Sequence, residues 1–264
     1  MRRALFWYLP LAAALLAVGV FGYGFASYLR GDTGTPVDLA AAGAAAASTT
    51  AASTTAASTA PSPSLVAPLI LGDSLARGTG DETGLGIGGR LDDELRRRHV
   101  RARRSWNLGV NGARTADLIA VVSRPNVEQL MRESNAIVVS IGGNDLWGGT
   151  DWRNAPPPDP ERTMAAVLER IASIVARIRA ANPRARIFFI GLYNPFALTP
   201  QGAALTPLVN RWNARLLARF GADPNFTLVP TADLFAHHDR LSVDRFHPNG
   251  EGYALIARRI ADAL

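Results

Sequence analysis

Ser74 follows the short apolar run Leu65–Leu71 and is the side chain of this sequence that best fits the role of a nucleophile. A serine hydroxyl is a weak nucleophile until a neighbouring base accepts its proton. Of the four histidines, His247 is the best placed base, because Asp244 lies three residues before it and can hold one imidazole nitrogen. The pattern predicts a nucleophile, a base and an orienting acid. Each part alone is weak, because a serine after a strand is a common helix N-cap and Asp-x-x-His is a frequent sequence.

Gly109 and Asn144 could stabilise the negative charge that develops on a carbonyl oxygen during acyl transfer. Gly109 has no side chain, so its backbone N–H can approach a substrate, and Asn144 carries an amide. A tight turn at Gly109 and a loop-bracing hydrogen bond at Asn144 are the alternative interpretations. The other histidines, His99, His237 and His238, lie in polar segments and are predicted to be surface residues.

The candidate residues follow short, almost continuously apolar runs, which are typical of strands that helices bury on both faces. The clearest amphipathic stretch begins after Asp159-Pro160 and stops at Asn182-Pro183, and two more helices are predicted from Thr206-Pro207 and from about Pro248 to Leu264. This alternation predicts a parallel sheet covered on both sides, with functional residues beyond the carboxyl ends of its strands. The predicted strands are Leu65–Leu71, Ser105–Val110, Ala136–Ile141, Ile187–Leu192 and Phe226–Pro230.

Four short motifs resemble, in order and setting, the four blocks of the SGNH hydrolases, also called the GDSL lipase/acylhydrolase superfamily. They are Gly72-Asp73-Ser74-Leu75, Gly109, Gly142-x-Asn144-Asp145 and Asp244-x-x-His247. Each block is weak alone, but all four follow successive predicted strands, and the resemblance covers residues 65–264. Asn111-Gly112 and Tyr193-Asn194-Pro195-Phe196 also look like segments of bacterial esterases and lysophospholipase-like members.

The resemblance implies an α/β fold, a flavodoxin-like α/β/α sandwich with a five-stranded parallel sheet. It implies a catalytic triad of Ser74, His247 and Asp244, and an oxyanion hole formed by the Ser74 and Gly109 backbone N–H groups with the Asn144 side chain. Asp73 and Asp145 belong to the motifs and are expected to brace loops.

No metal or organic cofactor is expected for this chemistry. The sequence has no cysteine and no cluster of His, Asp and Glu at metal-ligand spacing. It also lacks a phosphate-binding GxxxxGK[ST] loop, and the glycine-rich residues 84–89 are predicted to be a loop and helix entry rather than a dinucleotide site.

All 28 basic residues are arginines, and the formal net charge is +6. Most are spread singly through helical patterns, so nucleic-acid binding is not predicted. The densest group is Arg96, Arg97, Arg98, Arg101, Arg103 and Arg104. We interpret this group as a solvated helix end and loop, with docking on an anionic polymer or on lipid headgroups as the alternative.

The N-terminal part of the chain divides into two segments. Residues 1–30 contain 26 successive uncharged residues after Arg2 and Arg3, which is long enough for a transmembrane signal anchor. Residues 31–64 are rich in Ala, Ser and Thr and are predicted to be a flexible linker. The domain of residues 65–264 would then lie outside the cytoplasm, and secretion after signal cleavage is the alternative.

The predicted function is hydrolysis of carboxylic esters by an esterase or lipase-like acylhydrolase, through an acyl-enzyme. The substrate would be a small-molecule, lipid or carbohydrate ester. A deacetylase or acyltransferase that acts on cell-wall carbohydrate is the main alternative, because the same catalytic groups serve either reaction. A catalytically silent binding module is a remote alternative, since no catalytic position is missing.

Overall fold

The computed structural model describes residues 65–146, 159–236 and 238–264, and its centre is a sheet of five parallel strands. The strand order is β2-β1-β3-β4-β5, which is the flavodoxin-like order. The α/β fold and the five-stranded parallel sheet are therefore confirmed. The strands are β1 (Pro68–Gly72), β2 (Trp106–Gly109), β3 (Ala136–Ser140), β4 (Arg186–Ile190) and β5 (Phe226–Val229).

Helices connect the strands and cover both faces of the sheet. Local sequence explains where they begin: Pro160 is the first residue of the longest helix, and Asp159 caps it by accepting a hydrogen bond from the Arg162 N–H at 3.0 Å. The helices are α1 (Ser74–Arg77), α2 (Gly86–Arg97), α3 (Thr115–Val122), α4 (Pro125–Glu133), α5 (Gly143–Leu146), α6 (Pro160–Ala181), α7 (Pro200–Ala203), α8 (Thr206–Phe220) and α9 (Gly250–Asp262).

Successive strand residues face opposite sides of the sheet, and each side has its own apolar core. Leu69 and Leu71 of β1 pack in the core that also contains the apolar stripes of α6 and α8. Ile70, between them in the sequence, packs in the second core with residues of α2 and α9. All five residues of β1 are buried, which is why the strand reads as continuously apolar.

β1 has β2 on one side and β3 on the other, so the chain turns in opposite directions after these central strands. In parallel sheets a crevice opens at such a switch point, beyond the carboxyl ends of the strands. Ser74 and Asn144 follow β1 and β3 at this edge, and Gly109 is the last residue of β2. The fold therefore brings the predicted site segments to one edge of the sheet.

The predictions for residues 1–30 and 31–64 fall outside the described part of the chain. Within residues 65–146, 159–236 and 238–264, no helix is both long and apolar enough to span a bilayer.

Candidate active site

Ser74 is held at the sharp turn between β1 and α1. Gly72 enters the turn with a φ of +135°, and a Cβ there would lie 1.8 Å from the Ser140 carbonyl oxygen, so only glycine fits. Asp73 caps α1 by accepting a hydrogen bond from the Leu75 N–H at 3.1 Å. Ser74 is the first residue of this helix, and its own N–H meets no acceptor among the described residues. The Ser74 N–H is therefore open to a ligand.

His247 lies in a loop whose hydrogen-bond donors surround the carboxylate of Asp244. One oxygen, Oδ1, accepts hydrogen bonds from the Ser242 hydroxyl at 2.6 Å and from the Phe246 and His247 N–H groups, each at 2.9 Å. The Ser242 N–H also donates to the His247 carbonyl at 2.7 Å. These bonds close the loop locally and hold the His247 backbone beside Asp244.

The structure brings Ser74, His247 and Asp244 into one hydrogen-bonded chain. His247 Nε2 lies 2.8 Å from Ser74 Oγ, and His247 Nδ1 lies 2.6 Å from Asp244 Oδ2. Both distances are within hydrogen-bonding range, and the two ring nitrogens face different partners. This arrangement can transfer a proton from the serine to the imidazole.

Hydrogen bonds stabilise the ionised form of the Asp244 carboxylate. Partial burial acts to raise the pKa of Asp244, but hydrogen bonds from His247, Ser242 and the backbone N–H groups of His247 and Phe246 outweigh it and lower the pKa well below its usual range. The Asp244 side chain is 42 % exposed, whereas His247 is 15 % exposed. A negative charge beside Nδ1 favours the imidazolium that forms when Nε2 takes a proton.

Gly109 does not present its N–H to the crevice. That N–H donates to Asn107 Oδ1 at 2.9 Å, and the Asn107 amide donates in turn to the Ala76 carbonyl at 2.9 Å. A Cβ on Gly109 would lie 2.3 Å from the Arg77 nitrogen, so the glycine lets β2 pack closely against α1. This geometry conflicts with the prediction that Gly109 is an oxyanion donor, and it assigns the residue a packing role.

Gly112, which is not among the donors predicted from the sequence, has an N–H without an acceptor among the described residues, as does Asn111 before it. Its φ is +76°, a Cβ would meet nothing within 4 Å, and its N–H reaches no acceptor among the described residues. Asn144 Nδ2 donates to the next carbonyl, that of Ala113, at 2.9 Å. One hydrogen of this amide is used, the other remains available, and the Gly112 turn lies beside it. The sequence signal for this donor is Gly112 itself, a second glycine just after the predicted strand Ser105–Val110.

Asp73 and Asp145 both bind neighbouring backbone and side-chain donors. Asp73 Oδ1 accepts from the Ser140 hydroxyl at 3.0 Å, which ties the Ser74 turn to β3. Asp145 accepts from the Thr115 N–H at 2.8 Å, from the Thr115 hydroxyl at 2.6 Å and from Arg170 at 3.1 Å. These contacts hold the loops that follow β1, β2 and β3.

Asp73 is the basis of a prediction about stability and pH. Burial raises the pKa of Asp73 to about 6, although hydrogen bonds from Ser140 and Leu75 act to lower it. The folded protein therefore holds this proton more tightly than the unfolded chain does, and the contribution of Asp73 to stability falls as pH rises from about 4 to about 6. A difference of roughly two between the folded and unfolded pKa corresponds to about 3 kcal/mol.

Asp73→Asn does not titrate, and asparagine is also a good helix N-cap. We expect the stability of the wild type relative to Asp73→Asn to fall by up to about 3 kcal/mol between pH 3.5 and pH 7. Urea unfolding of both proteins across this range measures the difference. A stability difference that does not change with pH would contradict the raised pKa of Asp73.

The described residues line a partly open cavity of about 60 Å³ beside Ser74. Tyr193 fixes one wall, because its hydroxyl donates to the Phe246 carbonyl at 2.7 Å and its ring packs 4.2 Å from the ring of Phe235. Asn144 and His247 also face this space. The apolar lining is Leu75, Ile190, Leu192, Tyr193, Pro195 and Phe246.

His247 is the histidine that the described residues place at this cavity. His99 is exposed with a φ of +56°, His238 begins a short 3-10 helix, and His237 falls outside the described residues. The glycine-rich residues 84–89 form the entry to α2. Among the described residues no three His, Cys, Asp or Glu side chains are grouped as a metal site would require.

The chain matches a protein-family model and is similar to two Bacillus proteins. The model of the GDSL-like lipase/acylhydrolase family matches residues 70–255. The uncharacterized protein YpmR of Bacillus subtilis (strain 168) is 30% identical over 202 residues, which cover 74% of this chain and 79% of YpmR. The spore germination lipase LipC of Bacillus licheniformis is 23% identical over 207 residues, covering 73% of this chain and 93% of LipC.

The fold also matches a solved structure. The lipase Lip_vut3 from a goat rumen metagenome superposes with a TM-score of 0.65 and 20% sequence identity, over 75% of this chain and 97% of that lipase. At this identity the match establishes the fold alone.

Proposed function

The chain belongs to the GDSL-like lipase/acylhydrolase family and is an ester hydrolase of that type, and we propose that it cleaves esters of short-chain carboxylic acids with Ser74 as nucleophile. The observation that carries the proposal is the hydrogen-bonded chain from Ser74 through His247 to Asp244. A serine whose hydroxyl faces an imidazole, with the other imidazole nitrogen on a carboxylate, is equipped for acyl transfer.

In the proposed reaction Ser74 Oγ attacks the ester carbonyl carbon while His247 Nε2 accepts the hydroxyl proton. The oxyanion of the tetrahedral intermediate accepts hydrogen bonds from the Ser74 N–H and the Asn144 amide, with the Gly112 N–H in place of Gly109 as the third donor. His247 then protonates the leaving alcohol. Water repeats the cycle on the acyl-enzyme, and no metal or organic cofactor takes part.

The size of the cavity beside Ser74 supports a short acyl group. Its volume of about 60 Å³ is well below the range of about 300–1,000 Å³ that is usual for sites of drug-sized ligands. An acetyl or propionyl group fills such a space, whereas a long acyl chain would have to displace the fixed wall at Tyr193 and Phe246. Displacing packed side chains costs about 1–3 kcal/mol.

The small cavity predicts the preference of the enzyme among p-nitrophenyl esters. We expect kcat/KM to fall by about 10–100-fold from the acetate to the decanoate, which is the kinetic equivalent of that packing cost. Leu192→Ala enlarges the cavity and should reduce this ratio, whereas Leu217→Ala, on the exposed face of α8, should leave it unchanged. A decanoate hydrolysed as fast as the acetate would contradict the short-acyl proposal but not the triad.

Deacetylation of cell-wall carbohydrate, or acyl transfer to it, is a second candidate because an acetyl group fits the cavity. Release of acetate from purified wall polymer, compared with release of fatty acid from lysophospholipid, separates this candidate from a lipase-like activity. A burst of p-nitrophenol from p-nitrophenyl acetate excludes a silent binding module.

We further propose that residues 1–30 anchor the enzyme to the outer face of a membrane, with residues 31–64 as a linker. The support is the uncharged run of 26 residues after Arg2 and Arg3. Full-length protein is expected to stay in membranes after an alkaline carbonate wash, and a shortened protein that begins near Ser62 is expected to be soluble and active. Native protein found in the medium without residues 1–27 would favour the alternative, secretion after signal cleavage.

A further inference from the structure

The arginine-rich segment between α2 and β2 separates into two groups in the structure. Three of its six arginines are neutralised by carboxylates of α2 and α9. The ion pairs are Arg96–Asp93 at 2.6 Å, Arg98–Glu94 at 2.6 Å, Arg98–Asp262 at 2.6 Å and Arg97–Glu94.

Arg101, Arg103 and Arg104 are exposed and form no ion pair with any described carboxylate. The one further carboxylate in the groove beside Arg103 and Arg104 is that of Asp92, which accepts hydrogen bonds from Ser105. Three unpaired positive charges thus oppose one negative charge, and a net positive charge of about two remains at this surface.

Exposed apolar side chains lie in the same region. Trp106, two residues after Arg104, is 59 % exposed, Leu65 is 38 % exposed and Val100 is 36 % exposed. Exposed tryptophan beside arginine is the combination found where a protein meets a bilayer interface. We call this the amino-edge surface, because it surrounds the amino ends of β1 and β2; it consists of Leu65, Val100, Arg101, Arg103, Arg104 and Trp106.

The N-terminal part of the chain enters the domain at this surface. The Val66 N–H donates to the Arg101 carbonyl at 2.9 Å, and the Arg103 N–H donates to the Val66 carbonyl at 2.8 Å. Residues 1–64 therefore join the domain beside the unpaired arginines. If the uncharged run is a membrane anchor, a 34-residue linker with a reach of about 30 Å keeps this surface close to headgroups.

We infer that the amino-edge surface docks on an anionic phospholipid bilayer. The unpaired arginines bind the negatively charged headgroups, and Trp106, Leu65 and Val100 enter the interface. A soluble polyanion would satisfy the arginines but would leave these apolar side chains in water. The six residue-to-residue steps of extended chain from Val66 to Gly72 correspond to about 20 Å. Docking therefore holds the Ser74 crevice at the far edge of the sheet, open to substrates away from the bilayer.

The experiment uses full-length protein reconstituted in phosphatidylcholine vesicles, with or without phosphatidylglycerol. The chain has no cysteine, so a single introduced cysteine can be labelled with a fluorophore at a known position. Ala102→Cys places it in the amino-edge surface, and Val243→Cys, which replaces a fully exposed side chain, places it near the opposite edge. Energy transfer to a labelled lipid headgroup reports which edge is close to the bilayer.

We expect transfer from position 102 to rise in anionic vesicles and transfer from position 243 not to rise. Each arginine near an anionic surface changes the docking equilibrium about fivefold, so three arginines change the docked-to-undocked ratio on the order of 10²-fold. Added salt should reverse the change because the arginines are exposed.

The triple variant Arg101→Gln, Arg103→Gln, Arg104→Gln should lose the response to anionic lipid. Its matched control, Arg162→Gln, Arg177→Gln, Arg258→Gln, removes the same charge from exposed arginines elsewhere and should keep it. Hydrolysis of p-nitrophenyl acetate in detergent shows that each variant is folded. Equal transfer in both kinds of vesicle, or equal loss in both triple variants, overturns the inference.

Two further outcomes separate the bilayer from a soluble polymer and docking from anchoring. Binding of soluble poly(glycerol phosphate) to the surface, with no response to anionic vesicles, would assign it to a polymer and overturn the membrane inference. Flotation only with anionic vesicles would show docking without an anchor, and would contradict the anchor proposal while supporting this one.

Discussion

Ser74→Ala is expected to lower kcat for ester hydrolysis by about 10⁶-fold and to abolish covalent labelling by a fluorophosphonate. The physical reason is the 2.8 Å contact between Ser74 Oγ and His247 Nε2, which activates this hydroxyl. Labelling is measured as the mass increase of the intact protein. Ser173→Ala is the matched control, because the Ser173 hydroxyl lies on an exposed turn of α6 and binds only the Glu169 carbonyl.

His247→Ala removes the proton acceptor and should reduce both hydrolysis and labelling to a similar extent. Because the two side chains act as one unit, the double variant Ser74→Ala, His247→Ala should lose little beyond either single change. Losses that multiply in the double variant would show that the residues act independently, and persistent labelling of Ser74→Ala would end the mechanism.

Asn144→Ala distinguishes the oxyanion donors from the proton-transfer pair. Removal of one such donor typically costs about 10²–10³ in kcat, with a much smaller effect on KM. Labelling should be slowed but should still occur, because Ser74 and His247 remain in contact. Full kcat in Asn144→Ala would mean that this amide only holds the Ala113 carbonyl.

The sheet could be predicted from the sequence because burial on both faces leaves a simple pattern. The predicted run Ala136–Ile141 corresponds to β3, all of whose residues are buried. The predicted run Ser105–Val110 is shorter in the structure and begins with an exposed Trp106, because β2 is an edge strand with one neighbour.

Two helices, α3 and α4, are not predicted from the sequence. Helix α3 has 8 residues and α4 has 9, so each is too short to show a long apolar stripe in the sequence. Pro125 at the first position of α4 and Glu128 in its first turn were the local signals available. Their packing against α6 supplies the stabilisation that a helix of this length lacks alone.

Some residues of the site could be predicted from local sequence, and others depend on contacts that the sequence does not show. Asp244 and His247 are neighbours in sequence, and Ser74 comes shortly after a recognisable strand, so their spatial grouping could be predicted. The sequence could not show which glycine has a free N–H. That depends on the Asn107 side chain, which accepts a hydrogen bond from the Gly109 N–H. No spacing rule describes that rotamer.

Asp244→Asn is expected to lower kcat by about 10⁴-fold although it changes one atom and no packing. The reason lies in the three donors on Oδ1, which are the Ser242 hydroxyl and the N–H groups of Phe246 and His247. The two backbone N–H groups cannot accept a hydrogen bond, so an asparagine must place its carbonyl oxygen there. Its amide nitrogen then occupies the position of Oδ2, 2.6 Å from His247 Nδ1.

An amide in that position donates to Nδ1, which must then be the unprotonated nitrogen of the ring. The imidazole proton moves to Nε2, and a protonated Nε2 cannot accept the proton of Ser74. Hydrolysis and fluorophosphonate labelling should therefore fall together, and the proton NMR resonance of the Nδ1–H should disappear. Asp239→Asn, an exposed change in the preceding 3-10 helix, should leave all three unchanged. Retention of kcat in Asp244→Asn would mean that the orientation of this carboxylate does not select the tautomer of His247. The role assigned to Asp244 would then be wrong, even with the fold intact.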